Sequence, residues 1–276
     1  MENYEKTGYL TSNFKMFHII DRQQKAFSFH YHDFNKILIF IRGDVTYCIE
    51  GRSYELRPYD VVFVKAGEVH RPVIHSDAIY ERIIIYVSPD FISSYQNKNY
   101  DLNYCFKKAQ TEKSNVLRMD SFDRSKLYEV TCELERSFSD ADYAGELYQN
   151  ILFLEFMIQL NRATIHNHID YVNTSAANPK VLALLDFLNT HLTEDISIDR
   201  LSEEFFISKY YLMHTFKEET GYTIGNYLTT RRLLRARDLI KSGSPITEAC
   251  FASGFKNYSS FSRAYKKYFK KAPREL

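Results

Sequence analysis

GFKNYSSFSRAYKKYFKKAP, residues Gly254–Pro273, carries two patterns in one short segment. Phe261, Tyr265 and Tyr268 or Phe269 recur every three to four residues, the spacing of one helix face. Arg263, Lys266, Lys267 and Lys270 fall elsewhere on the same helix. The aromatics are therefore expected to anchor the helix on its neighbours, leaving the basic residues for a partner. An upstream segment repeats the arrangement. LSEEFFISKYYLMHTFKEETG, Leu201–Gly221, aligns with ACFASGFKNYSSFSRAYKKYFKK, Ala249–Lys271. Leu212 matches Phe261, Phe216 matches Tyr265 and Lys217 matches Lys266 at an offset of 49, whereas Leu201 matches Ala249 at 48. One extra residue in the second turn, placed at Gly254, accounts for the slip.

Each copy reads as a short helix, a tight turn and a second helix that starts at a capping residue, Ser208 or Asn257. That is a helix-turn-helix, present twice. Leu212 and Phe216 face inward in the first copy, leaving Lys209, Tyr210, Met213, His214 and Lys217 outside. An exposed Tyr–Met–His row suits a major groove, where side chains meet base edges and thymine methyls. TIGNYLTTRRLLRARDLIKSG, Thr223–Gly243, joins the copies as a helix of about 19 residues, or about 28 Å. It ends at Gly243, and Ser244 then caps a helix with Pro245 at its first position. Recognition helices in adjacent major grooves sit about 34 Å apart, so the connector has the length of a ruler between them.

Charge agrees with this layout. The whole chain is nearly neutral, +1, but residues 205–276 hold 14 Lys/Arg against 5 Asp/Glu, a net of +9. Residues 1–177 hold 20 against 24, a net of −4. A basic C-terminal part is the electrostatic footprint of a polyanion partner. The four cysteines, Cys48, Cys105, Cys132 and Cys250, form no CxxC pair, which argues against a disulfide framework or structural zinc and fits a reducing cytoplasm. The first twenty residues are charged throughout and the longest apolar runs are strand-sized, so neither a signal peptide nor a membrane span is expected.

The N-terminal half has a different period. Lys36–Ile41, Val45–Glu50, Arg52–Leu56, Val61–Val64 and Ala78–Val87 are β-branched or aromatic runs separated by Gly43-Asp44, Gly51 and Pro58-Tyr59-Asp60. They predict an antiparallel barrel or sandwich. From about Asp120 the period becomes helical, through Leu127, Val130, Leu134 and Phe138. A second helix, Asp142–Ala163, carries Leu147, Ile151, Leu154 and Ile158 on one stripe and Phe153, Phe156 and Met157 off it. Its apolar surface is wider than one buried face requires, which predicts a homodimer contact through the stripe, the alternative being deep burial within its own domain. TIHNHIDYVNTSAAN, residues 164–178, lacks periodicity and reads as a linker. Asn178-Pro179 then opens an all-helical region with Val181, Leu184, Leu185, Leu188 and Leu192 on its first apolar face.

The tandem arrangement resembles the AraC/XylS family of bacterial transcription regulators, over about the last hundred residues. The matching segments are LSEEFFISKYYLMHTFKEETG, RRLLRARDLI, ITEACFASGF and SSFSRAYKKYFKKAP. Phe206 departs from the family pattern at a turn position that is often Gly, and Lys270 departs where a Gly commonly ends the last helix. The resemblance implies base-reading residues at Tyr210, Met213 and His214 in the first copy. In the second it implies Tyr258, Ser259, Ser262 and Arg263. Phosphate contacts are expected from Ser208, Lys209, Lys217, Arg232, Lys256, Asn257, Lys266 and Lys267. HYHDFNKILIFIRG, His30–Gly43, and AGEVHRP, Ala66–Pro72, look like the cupin sensor domain of that family. The implied fold is α+β in two domains: a cupin-like effector-binding barrel (1–119) with a helical hairpin for dimerisation (120–163), a linker (164–177) and a tandem helix-turn-helix domain (178–276).

His30 and His32 are two apart and share one strand face, and His70 could join them. Three His could bind zinc, iron or manganese, line a polar effector pocket together with Tyr47, or serve structure alone. Metal-binding cupins add a Glu four residues after the second His, where this chain has Lys36, so no metal or other cofactor is expected. The reading is a DNA-binding regulator controlled by a small molecule, acting on double-stranded promoter DNA, with RNA polymerase as a partner if it activates. The alternative is a cupin enzyme with an accessory DNA-binding domain.

Overall fold

The computed structural model describes residues 8, 10–22, 27–119, 121–139, 142–165, 169–174 and 178–275. The chain divides into two compact units, with the main division near residue 175.

In the first unit, strands β1 (Phe14–Asp21), β2 (Asn35–Arg42), β3 (Val45–Ile49), β4 (Arg52–Glu55), β5 (Val61–Val64), β6 (His70–Ile74), β7 (Tyr80–Val87), β8 (Val116–Met119) and β9 (Ile169–Tyr171) form two sheets. One is ordered β1-β7-β2-β5-β8-β9 and the other β4-β3-β6. The described strand pairings are antiparallel. Helices α1 (Pro89–Ser93), α2 (Tyr104–Thr111), α3 (Lys126–Ser137) and α4 (Gly145–Ile165) complete the unit. Strand β2 explains the layering. Its alternate residues Leu38 and Phe40 join a core with Tyr47, Ile49 and Val62, whereas Ile37 and Ile39 join another with Leu134, Phe153 and Phe156 from the helices. A strand buried on both faces reads as an unbroken apolar run, as KILIFI does.

Several expectations are corrected. Strands β1, β6 and β8 and helices α1 and α2 are additions to the elements the sequence predicts; each takes its order from its neighbours. The segment expected to be an irregular linker begins as the last residues of α4 and then forms β9, which pairs with β8. Thr174 Oγ1 accepts from the Ser53 amide and donates to the Ser53 carbonyl, fastening the segment further. Three residues cannot show a period, and the strand exists because β8 offers it an edge. The rest of that expected linker, 166–168 and 175–177, lies outside the described residues. Helix α4 buries Leu152, Phe153, Phe156, Met157 and Leu160, so its core face is the one the sequence placed off the stripe.

The second unit holds α5 (Pro179–Thr190), α6 (Ile198–Glu204), α7 (Lys209–Thr220), α8 (Ile224–Lys241), α9 (Ile246–Ala252) and α10 (Tyr258–Phe269). Asn178, Ser197, Ser208, Thr223 and Asn257 cap five of these helices, each side chain accepting from a backbone N–H in the first turn. Such a cap stabilises a helix by about 1 kcal/mol. The cap of α9 differs from expectation. Pro245 occupies the N-cap and Ile246 is the first helical residue, one position later than the Ser244-Pro245 reading. Helix α8 begins in a cluster where Tyr227 packs on Phe216 and Tyr222. It ends in another, where Leu233 and Ala236 meet Cys250, Phe261 and Tyr265.

Candidate nucleic-acid interface and effector pocket

The two helix-turn-helix units match in register but not in turn length. Helices α6 and α9 start 48 residues apart, α7 and α10 start 49 apart. The left-handed turn residues are Phe206 (φ 53°) and Gly254 (φ 95°), again 48 apart. The extra residue therefore lies after Gly254, in Phe255-Lys256, and not at Gly254 itself. In the first turn Ser202 Oγ donates to the Ile207 carbonyl at 2.6 Å; in the second, Ser253 Oγ turns back onto Ala249 and Cys250. Both small hydroxyls sit where a short helix bends into its partner.

Helix α7 buries Leu212, Phe216 and Thr220. Its opposite face carries Tyr210, 74% exposed, and Met213, 47% exposed. Lys209, His214 and Lys217 are exposed beside them. The rings of Tyr210 and His214 lie 5.7 Å apart, one turn along the same face. On α10, Phe261 and Tyr265 are buried, and Ser259, Arg263, Lys266 and Lys267 are exposed. Ser262 is half-buried, and Tyr258 packs partly against the core beside Phe261. Tyr258 thus presents less of itself outward than its counterpart row on α7.

The expected phosphate contacts divide. Lys266 and Lys267 stand exposed in the last turn of α10. Ser208 and Asn257 use their side chains as N-caps. Lys209 pairs with Asp199, and Lys256 Nζ with Asp195 Oδ2 at 2.7 Å, all of them exposed. Exposed pairs of this kind are weak and exchange readily for another anion. Arg232 stands apart from the other expected phosphate contacts. It is half-buried, with Nε donating to the Leu192 carbonyl at 2.8 Å and Nη2 to the Glu194 carbonyl at 2.7 Å. Its fork is committed inside the unit because the α5–α6 loop crosses α8 at that point, which no local pattern announces.

In the first unit, His30 and His70 form an isolated antiparallel bridge, each amide bonded to the other's carbonyl. Ring centroids of His30, His32 and His70 lie 4.4–5.2 Å apart. Candidate ligand atoms of the three are within 4.8 Å of one another. His30 Nδ1 lies 3.0 Å from the Ser28 carbonyl and His70 Nδ1 3.1 Å from that of Glu68. A carbonyl can only accept, so both imidazoles carry their proton on Nδ1 and turn a bare Nε2 elsewhere. For His70 that nitrogen faces Lys36 Nζ at 3.5 Å, and Lys36 also donates to Tyr47 Oη at 2.8 Å. Burial, reinforced by Arg82, lowers Lys36 to about 7. Burial brings His30 down to about 4, and His70 well below its ordinary value, with Lys36 next in effect there. The donor set therefore fits a metal poorly. The lysine amine occupies the lone pair of one of the three imidazoles.

A family model described as a helix-turn-helix domain matches residues 201–276, and one described as an AraC-like ligand binding domain matches residues 13–119. The chain belongs to the AraC family of transcription regulators. The transcriptional activator RhaS of Escherichia coli is 24% identical over 254 residues, 92% of this chain and 88% of RhaS. Among solved structures, ToxT of Vibrio cholerae O395 aligns at a TM-score of 0.38 with 15% identity, covering 95% of this chain and 96% of ToxT. The DNA-binding domain of AdpA, solved with a target DNA, aligns at 0.34 with 20% identity over 36% of this chain and 89% of that domain.

As an AraC-family chain, the protein is a helix-turn-helix DNA-binding regulator with an N-terminal ligand-binding domain. The cupin-enzyme alternative is not favoured, since the curated relatives are transcriptional activators. Among the described residues no helix is long and apolar enough to cross a membrane. The pocket reading brought His30, His32, His70 and Tyr47 together, and the structure does place them side by side. It missed Phe34 and Tyr86 as neighbours of that cluster, whereas Lys36, already singled out in place of a Glu ligand, does lie beside it. Phe34 stacks on His32 at 4.6 Å, and Tyr86 lies opposite Lys36 in the β2–β7 register. Period two would have found Phe34: residues 30, 32, 34 and 36 share one face of an extended chain.

Proposed function

We propose that α7 and α10 read adjacent major grooves of promoter DNA, with Tyr210, Met213, His214, Ser259, Ser262 and Arg263 at base edges and Tyr258 in a lesser part. Ser208, Lys209, Lys217, Lys256, Asn257, Lys266 and Lys267 hold phosphates, Ser208 and Asn257 through the exposed starts of their helices. The observation that carries this reading is the face of α7. Tyr210 and Met213 stand outward on a helix whose other side is core, and large apolar side chains gain nothing there from water. A small-molecule effector in the pocket of His30, His32, His70 and Tyr47 controls the binding. The stripe of Leu147, Ile151, Leu154 and Ile158 on α4 pairs two copies, and RNA polymerase is the further partner if the protein activates. Genome-wide immunoprecipitation of the full chain tests the reading. Discrete peaks sharing a two-part motif about one helical turn apart support it; uniform, motif-free occupancy sinks it.

A further inference from the structure

The two helix-turn-helix units are fastened to each other by contacts that use no base-facing side chain. Three residues of the connector and the second helix-turn-helix converge on the loop Leu192–Asp195, between α5 and α6. Arg232, mid-way along α8, donates to the carbonyls of Leu192 and Glu194. Gly254 approaches the same loop so closely that a Cβ would meet the Leu192 carbonyl oxygen at 2.8 Å, Arg232 Nε at 2.9 Å and Thr193 Cα at 2.9 Å. Lys256 bridges to Asp195. The loop is in turn fixed to the first helix-turn-helix. Arg200 of α6 pairs with Glu194 at 2.9 Å and donates to the Asp195 carbonyl at 3.3 Å. Tyr227 of α8 donates to Asn189 of α5 at 3.1 Å.

A single helix fixes the distance along its axis, but it still bends gently and lets what packs on each end swing about it. A contact off the axis removes that freedom. We propose that the clasp of Arg232 and Gly254 on the loop Leu192–Asp195 sets the rotation and separation of α7 and α10, and with them the permitted spacing of the two half-sites on DNA. This deepens the reading that both helices enter the groove and rests on it. Arg232 and Gly254 touch no base in this account; they are positioning residues. The separation matters because one base pair shifts a half-site by about 3.4 Å along the duplex and about a tenth of a turn around it. A rigid pair of helices rejects such a shift, and a loosened pair accommodates it.

The test uses the full chain. Half-site motifs are first recovered from randomised DNA with the unaltered protein, then re-presented with spacers one base pair shorter or longer than the preferred one. The unaltered protein is expected to favour its own spacer by roughly tenfold, the size of one good base contact. Arg232→Ala should narrow that preference to about twofold and leave both half-site motifs unchanged. Lys266→Ala serves as the contrast, lowering affinity alike at every spacer. Arg232→Ala that loses affinity equally at all spacers overturns the proposal, since that is what a phosphate contact would do. If Arg232→Ala does not melt cooperatively, Arg232→Met keeps an unbranched stem without any donor, and an unchanged spacer profile in it overturns the proposal equally. Recovery of only one half-site motif by the unaltered protein defeats the two-groove reading itself, and the clasp falls with it.

Discussion

Arg263 sits exposed on α10 between the buried Phe261 and Tyr265, with its Nε resting on the Ser259 carbonyl at 3.3 Å. A guanidinium at mid-helix can grip guanine O6 and N7 together, which is worth about 1–3 kcal/mol of discrimination. Lys266 and Lys267, a turn later, offer point charges that suit phosphates. In a selection on randomised DNA, Arg263→Ala should flatten preference at one or two positions, and Lys266→Ala should weaken all sequences alike and lower the salt slope by about one. An Arg263→Ala motif identical to the parent's rejects the base-reading role. Lys36 invites a different measurement. Its amine is fully buried, with Tyr47 and His70 as hydrogen-bond partners and Arg82 as the charge that opposes it. Its folded pKa of about 7 lies below the ordinary 10.5, so the folded state binds fewer protons than the unfolded one between those values. Stability from this group therefore rises with pH across that window, and the penalty is complete below pH 7. Lys36→Met should raise stability by ~2 kcal/mol at pH 6, with the gain shrinking as pH climbs toward 10. Melting curves at several pH values check it, and a gain that grows with pH would contradict the burial account.

Exposed apolar groups stand on α4 and in the first helix-turn-helix turn as well as on α7. On α4, Leu147 is 61% and Ile151 52% exposed, with Ile158 on the same side at 40%. Leu154, though in the same stripe, packs partly against the core. Ile151→Asp with Ile158→Asp is thus a cleaner test of self-association than any change at Leu154. Sedimentation at micromolar concentration should show the parent as a dimer and the variant as a monomer with a melting temperature close to the parent's, since neither residue is core. A monomeric parent removes the interface assignment. In the first turn, Phe206 is 95% exposed and holds φ 53°, a conformation that crowds any Cβ. Phe206→Gly should stabilise the protein by about 0.5–1 kcal/mol, read by chemical denaturation. A loss of stability there would show that the ring makes a contact which its exposure hides.

Across the whole chain, net charge is +5 over residues 178–276 and −4 over residues 1–177. The fragment 178–276 holds both helix-turn-helix units, so it should bind DNA by itself, with affinity falling steeply as salt rises because phosphate contacts release counterions. Titration of the purified fragment at two salt concentrations checks this, and a folded fragment without salt-dependent affinity would count against the interface. The sequence alone determined the units and their chemistry. Helical spacing of Phe261 and Tyr265, the caps Ser208 and Asn257, the doubled pattern and the alternation in β2 are local properties, set by backbone geometry and by which face must leave water. The row at His30 and His32 was legible for the same reason. Tertiary structure alone decided the rest. Arg232 became an internal strut, His70 and Lys36 became neighbours across 34 residues, β9 became a strand, and α4 turned its Phe153 side to the core. Each of these depends on what the rest of the chain brings within a few ångströms, and periodicity records which residues share a face but not what that face will meet.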